Sequence, residues 1–598
     1  MKKKRMICLL LSIVMVLGML AGCQKTDPSK SNPTESNTPT PSQDIEPTSD
    51  SAQTDETPEY PMNFTGYYTD DPEVINLAKS FLRDSKVFLS DSQEGQQKIN
   101  AMGSRIEEIE NTPTSIVKAD TYVQGVSYCG TAYYVDAENG NDENDGLSPE
   151  TAFRTAGQID GIAMNLREGD AVFFKRGCIY YDACPTIVSG VTYSAYGEGA
   201  KPILTTSSND ANDPANWVLY YEEGEQKIWH YQKTDFASVG WIDFNCSNDL
   251  YAYPVYEYWS QETGYQYIEN VYADYDEVAD GSYSRNRYGN LVSKEIHEML
   301  TEDLTFVSRT HYMDSAGNWC SGTNLYLRCD EGNPAEVFDV IKFTAITYNQ
   351  FGDPLPGPVQ AVEATNATLD NLELSNGAQW GVGGMDHSTI QNCEVSFIGN
   401  TVWFYNEWKP DETGHISVNY IGDGIYKCVD GMTVRNNYVH HCCCVGITGE
   451  LYGESADPVL DEWIVDSNVV AYCGNSYIFQ DGNGWVNLEM EGISVSDNYF
   501  AYAGQCEGIL RWYNDFNGIS IYGWDDTGTS DVYKFLASKQ HFTGNTVIGG
   551  YDSSFNSGVD GFNAIATFTG NMFVGDPMDN AVMILDRQKV IKYWQLCE

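Results

Sequence analysis

The chain has 598 residues and a formal net charge of −51, from 85 acidic side chains against 34 Lys and Arg. That balance argues against nucleic acid as a partner, because phosphate-backbone affinity is drawn from Lys and Arg. Aromatic residues make up 13% of the chain and include 41 tyrosines, a surplus that suits stacking on sugar rings and also fills a strand-rich core.

At the N-terminus four basic residues, Lys2 to Arg5, precede an apolar run from Met6 to Met19. This is the pattern of a secretory signal, and it is shorter than the roughly 20 residues of a membrane span. Leu20-Ala21-Gly22-Cys23 resembles the bacterial lipobox, in which the cysteine is lipidated and becomes the mature N-terminus. The expected order therefore starts with a lipoprotein signal over 1–23 and a tether over 24–60. The tether is rich in Ser, Thr, Pro and acids and cannot bury enough apolar surface to order itself. An extracellular location follows, with the lipid at Cys23 as the one link to the membrane. Residues 61–127 hold helical patterning at Pro72–Lys86 and Glu94–Ile109, read as an N-terminal helical cap.

In 128–210 a strand through Tyr133 to Asp136 leads into the loop "GNDENDG", and Ser148-Pro149-Glu150 starts a short helix. The loop oxygens of Asn141, Asp142, Asn144 and Asp145 are of the kind that bind calcium, with Asp142 and Asp145 as candidate ligands. The twelve-residue EF-hand spacing is missing, and a self-capping turn is the competing reading. No cofactor is required by the sequence; Ca2+ is the one that its composition admits. Over 211–360 the pattern fades into a Tyr-rich insertion, "YEYWSQETGYQYIENVYADYDE", expected to form loops or a small subdomain beside a groove.

From 361 to 580 a phrase recurs: "LDNLEL" at Asn371, "IQNCEV" at Asn392, "VRNNYV" at Asn437, "VDSNVV" at Asn468, "VSDNYF" at Asn498, "FTGNTV" at Asn545 and "FTGNMF" at Asn571. Apolar residues alternate around each asparagine with the period of a strand, and units of this length must stack on their neighbours to bury that face. The expected fold is all-β, a right-handed parallel β-helix, ending in a C-terminal segment over 581–598. Stacked asparagines can satisfy one another's buried amides. Counting from each asparagine puts His441 with Tyr472 and Tyr502, and Cys442 with Phe397, Cys473 and Ala503. The chemically suggestive run "HHCCC" is thus mainly one rung, since adjacent strand residues point to opposite faces.

The strand and loop of 131–145, followed by "DAVFFKRG" and "GVTYSAYGEGAKPIL", resemble the entry coil of pectate-lyase-like β-helix proteins. "NDANDPANWVLY" and "NLYLRCDEGNPAE" resemble pieces of clostridial members of that group. The likeness runs over Thr131 to Asn216 and Leu325 to Asp576. It implies the fold and a carbohydrate-active role, but the architecture hosts lyases, hydrolases, isomerases and adhesins.

A second ladder, "WGVGG", "GDGIY", "VGITG", "SYIFQ" and "EGILR", gives an inward column of Val382, Ile425, Ile447, Ile478 and Ile509. That alignment places Glu450 beside Asp481 on the outer strip, with Asp386 and Asp423 at its edges. Lys427 and Arg511 reach this face only where the strand bends. A stacked carboxyl pair suits glycoside hydrolysis of a polysaccharide, with Glu450, Asp481, Asp423 and Asp386 as candidates. The resemblance also implies an alternative, β-elimination on a uronic-acid polymer with Lys427 or Arg511 as base beside carboxylate-bound calcium. In either enzyme His440 is a further candidate substrate contact; a third reading is a glycan-binding adhesin that stacks sugars on Trp485, Trp512, Tyr513 and Trp524. Glu373 and Glu394, two residues after their asparagines, read as a buried structural network with Glu394 in reserve for catalysis.

Overall fold

The computed structural model describes residues 69–598 apart from short breaks and the longer segments 310–323, 403–419, 452–458, 482–488, 507–516, 524–539 and 558–565. The signal, Cys23 and the tether lie outside the described residues, as do Trp485, Ile509, Arg511, Trp512, Tyr513 and Trp524.

One coil contains three short strands: Val445–Leu451, Trp463–Asp466 and Val469–Ala471. The next strand, Asn475–Asp481, then lies parallel against Val445–Leu451, and the cycle repeats. Sheet 1 takes the first strand of each coil, sheet 2 the second and sheet 3 the third; they have eight, ten and ten strands. This is a parallel β-helix, with the right-handed sense that parallel crossovers adopt. Its interior is apolar because each strand turns one row inward. Val395, Val439, Val470, Phe500, Val547 and Phe573 form such a row from sheet 3.

The asparagine ladder runs through Asn437, Asn468, Asn498, Asn545 and Asn571. From Asn468 onward each Oδ1 accepts from both the backbone N–H and the Nδ2 of the asparagine one coil earlier, at 2.9 to 3.0 Å. Asn371 and Asn392 do not belong to it. Val395 pairs with Val439, so the ladder position of that coil is Cys393, whose N–H donates to Asn437. Asn371 and Asn392 sit one place earlier, in left-handed turns with φ of 61° and 55°. The one-residue shift turns Glu373 and Glu394 outward instead of inward, since strand faces alternate. The aromatic row His441, Tyr472 and Tyr502 stacks as expected, and the same one-residue shift adds Phe397 to it, while Ile398 takes the place beside Cys442 that was expected for Phe397.

The N-terminal helices do not cap the entry coil. Helix α1 (Pro72–Phe81) covers the last one, where Phe81 packs on Phe555 and Phe568. The following strand, Lys86–Leu89, extends sheet 3 by pairing with Met572–Gly575, which covers an edge that would otherwise recruit other chains. Helix α2 (Gln93–Glu110) then runs back along the outside of sheet 3, with Met102 and Ile109 packed among Tyr438, Val469, Ala501, Ile548 and Val574. Its eighteen residues span about 27 Å, enough for the five strands beneath it. Lys201 donates to the carbonyls of Ile109 and Glu110, the cation that a helix C-terminus favours.

The insertion is a subdomain. Strands from Trp217–Glu223 to Pro354–Leu355 form a mostly antiparallel eight-stranded sheet around its own core of Trp217, Tyr231, Phe244, Phe306 and Leu327. It docks on sheet 3 rather than hanging free. Thr344 donates to the Phe397 carbonyl, Asn376 Nδ2 donates to Asp243, and Gly240 lies against Gly399 and Asn400.

Candidate functional site

Sheet 1 carries the candidate catalytic groups, and its register decides which of them meet. Val382, Ile425 and Ile447 stack inward as expected. The fourth place belongs to Tyr477, not Ile478, and the fifth to Ile519. Glu450 therefore lies opposite Gln480, and Asp481 lies opposite Leu451. The proposed Glu450–Asp481 stack is thus corrected: adjacent positions on a strand face opposite ways. Asp423 is no substitute partner. It is buried, its Oδ1 accepts from the Val445 N–H at 3.1 Å, and Val445 precedes Glu450 by five residues, about 16 Å along a strand.

Three other groups do come together. Lys427 has a φ of 53°, so the strand bends there and the side chain escapes the inward turn that alternation would impose. Its charge interacts with both Glu450 and Asp386. The column Val382–Ile425–Ile447 puts these residues on three successive coils, with Lys427 between the two acids. Burial holds the Lys427 ammonium below the usual lysine range, even though both carboxylates pull it upward. Glu450 is buried at 8% exposure, whereas Asp386 is exposed. Beside them Trp380 and Tyr426 stack face to face, 5.3 Å apart and 8° from parallel. Sequence reading passed over this aromatic pair, although its signal was an aromatic in each of two neighbouring coils.

The loop acids of the entry coil are turn caps. Asp142 Oδ1 accepts from the N–H groups of Arg154 and Thr155, and its Oδ2 from the Thr155 hydroxyl. Asp145 Oδ1 accepts from the Leu147 N–H and the Thr151 hydroxyl. These bonds replace the metal reading of Asp142 and Asp145. Among the described residues one group, Asp136, Glu138 and Cys178, has three potential ligand atoms within 4.8 Å of one another. The Lys175 ammonium already pairs with both of its carboxylates, 2.8 Å from Asp136 and 3.8 Å from Glu138. Cys442 and Cys473 point into the apolar core.

His440 is fully buried between the insertion and sheet 3, so it does not contact substrate. Its Nε2 lies 3.0 Å from Glu394 Oε1, and its Nδ1 lies 2.7 Å from His441 Nδ1. Close by, Lys342 pairs with Asp243 at 3.2 Å and Glu373 at 3.5 Å. Glu373 and Glu394 thus form the structural network that the sequence suggested. Burial pushes Glu373 up to about 8 and His440 down to about 3. The folded state keeps the Glu373 proton that the unfolded chain sheds near pH 4.3, so this contribution to stability falls as pH rises towards 8. His440 has the opposite sign: its contribution is present above about 6.5 and is lost as pH falls towards 3. Together they give a plateau between about pH 4.3 and 6.5 and a decline from there to 8. Urea unfolding across this range should show that decline in the wild type and a shallower one in Glu373→Gln; an unchanged slope would contradict the assignment.

No family model and no curated protein matches the chain. Among solved structures, it is similar to a GH136 lacto-N-biosidase from Eubacterium ramulus at 12% identity, over 77% of this chain and 68% of the other, with a TM-score of 0.26. A pectate lyase, Pel9A, matches at 12% identity over 75% and 80%, with a TM-score of 0.30. A polygalacturonase from Erwinia carotovora matches at 11% identity over 76% and 98%, with a TM-score of 0.24. Likenesses this low carry no argument about activity.

Proposed function

We propose that the protein is a glycan-cleaving enzyme that hydrolyses polysaccharide at the Asp386–Lys427–Glu450 cluster. The observation that carries this reading is the meeting of three chain-distant ionisable groups from three successive coils, Lys427 and Glu450 at the bent end of sheet 1 and Asp386 in the short strand that follows it, near a stacked aromatic pair. The two acids are two rungs apart, roughly 10 Å along the axis, near the upper end of the separation of about 6.5–9.5 Å that leaves room for a water in inverting hydrolysis. Glu450 is the buried member and Asp386 the exposed one, so proton donation falls to Glu450 and water activation to Asp386. Lys427 between them limits their mutual repulsion, and Trp380 with Tyr426 offers apolar faces to a sugar ring.

One observation favours a second reading, β-elimination. A lysine below its usual range is closer to the neutral form that a base needs. The acidic chain weighs against it, because a polyuronate would be repelled on approach. Incubation with plant and host polysaccharides separates the two. Hydrolysis yields new reducing ends without an ultraviolet-absorbing unsaturated product, and appearance of that product would establish elimination instead. Retention without cleavage would leave a binding protein.

The reading includes an extracellular site held by lipid at Cys23, supported by the basic and apolar N-terminus and the lipobox-like Leu20 to Cys23. Cys23→Ala should release the protein from the membrane fraction. Unchanged membrane retention would exclude the anchor.

A further inference from the structure

We propose that Glu394, His440 and His441 form a two-state proton chain that latches the insertion onto the β-helix. The argument is proton counting. Each of the two short contacts, Glu394 Oε1 to His440 Nε2 and His440 Nδ1 to His441 Nδ1, needs one proton between its atoms. A neutral His440 carries one proton and serves only one contact as donor. In the first state Glu394 is protonated and donates to His440 Nε2, while His440 donates through Nδ1–H to His441 Nδ1. His441 then carries its own proton on Nε2. In the second state the Glu394 proton has moved to His440 Nε2, the His440 Nδ1 proton has moved to His441 Nδ1, and the His441 Nε2 proton has been released. One net proton leaves, and both imidazoles change tautomer together.

The surroundings decide which state docks the insertion. Glu394 faces Lys342, Cys246 and Asn248 from the insertion, and Glu373 from the coil before it, with Asp243 of the insertion acting on Glu373 and Lys342. Tyr438 and His440 face it from the coil after, and Glu110 and Lys201 from helix α2 and the entry coil. The Lys342 ammonium already pairs with Asp243 and the Lys201 ammonium is bonded to the main-chain carbonyls of Ile109 and Glu110, so an ionised Glu394 adds a buried charge to which neither ammonium is bonded. His441 meets Trp241 and Tyr251 of the insertion, with Phe397 and Tyr472 above and below, while Asp249 acts on His440. The protonated state is therefore the docked one, in keeping with the burial that raises Glu394 and lowers both histidines.

The test is histidine-selective 15N NMR on the whole chain, with His440→Gln and His441→Gln used for assignment, beside amide hydrogen exchange over 237–244. On raising the pH, His440 should pass from Nδ1–H to Nε2–H and His441 from Nε2–H to Nδ1–H at one shared midpoint. Protection in 237–244, taken relative to the intrinsic base-catalysed exchange rate at each pH, should fall at the same midpoint. Glu394→Gln, which keeps the shape without the ionisable group, should abolish both transitions while far-ultraviolet circular dichroism is unchanged. Separate midpoints, no tautomer change up to the unfolding pH, or transitions that persist in Glu394→Gln would each overturn the chain. The readouts involve no substrate, so the proposal stands or falls separately from the reading of sheet 1.

Discussion

Glu450→Gln should lower polysaccharide cleavage by about a thousandfold, within the 10²–10⁴ that a positioned proton donor contributes. The amide is isosteric and cannot donate in the same way, so the far-ultraviolet circular dichroism of the folded protein should be unchanged. Asp481→Asn is the control, because Asp481 lies opposite Leu451 and not opposite Glu450. It should keep most of the activity. If Asp481→Asn and Glu450→Gln abolish cleavage equally while both proteins stay folded, the register-based site is wrong.

The largest loss of stability should come from Asn468→Ala. Asn468 Oδ1 accepts from both the N–H and the side chain of Asn437, and its Nδ2 donates to the Val434 carbonyl and to Asn498. The position has 0% exposure, so water cannot replace these bonds. Orphaned buried groups cost about 1–3 kcal/mol each, and we expect a total of about 3–5 kcal/mol, in the tail of single substitutions. Chemical denaturation measures it. A change under about 1 kcal/mol would mean that the ladder satisfies little.

Much of the fold was legible because the repeat encodes it twice, in alternating apolar residues and in asparagines that must stack. The errors have one physical origin. Asparagine also tolerates the left-handed turn conformation, so Asn371 and Asn392 mimic ladder members one residue out of place. In "SYIFQ" three consecutive apolar residues, Tyr477, Ile478 and Phe479, erase the alternation that fixes register, so the pattern points to Ile478 where the inward residue is Tyr477. That slip produced the Glu450–Asp481 pair. Asp386, Lys427 and Glu450 survived it because they follow the part of the column, Val382 to Ile447, where a glycine immediately precedes each inward residue, at Gly381, Gly424 and Gly446. The placing of α1 on the last coil had no sequence signal, since a strand edge accepts any compatible strand. His440 misled for another reason: what covers it is the insertion, and docking of a distant segment is not written in local pattern.

The most direct test of the central claim, that Lys427 and Glu450 act as one unit across neighbouring coils, is a double-mutant cycle on the cleavage rate. Lys427→Met, Glu450→Gln and the double variant are compared with wild type on a polysaccharide that it cleaves. The account predicts strong non-additivity, with the double variant little slower than Glu450→Gln alone. Losses that multiply independently would contradict it.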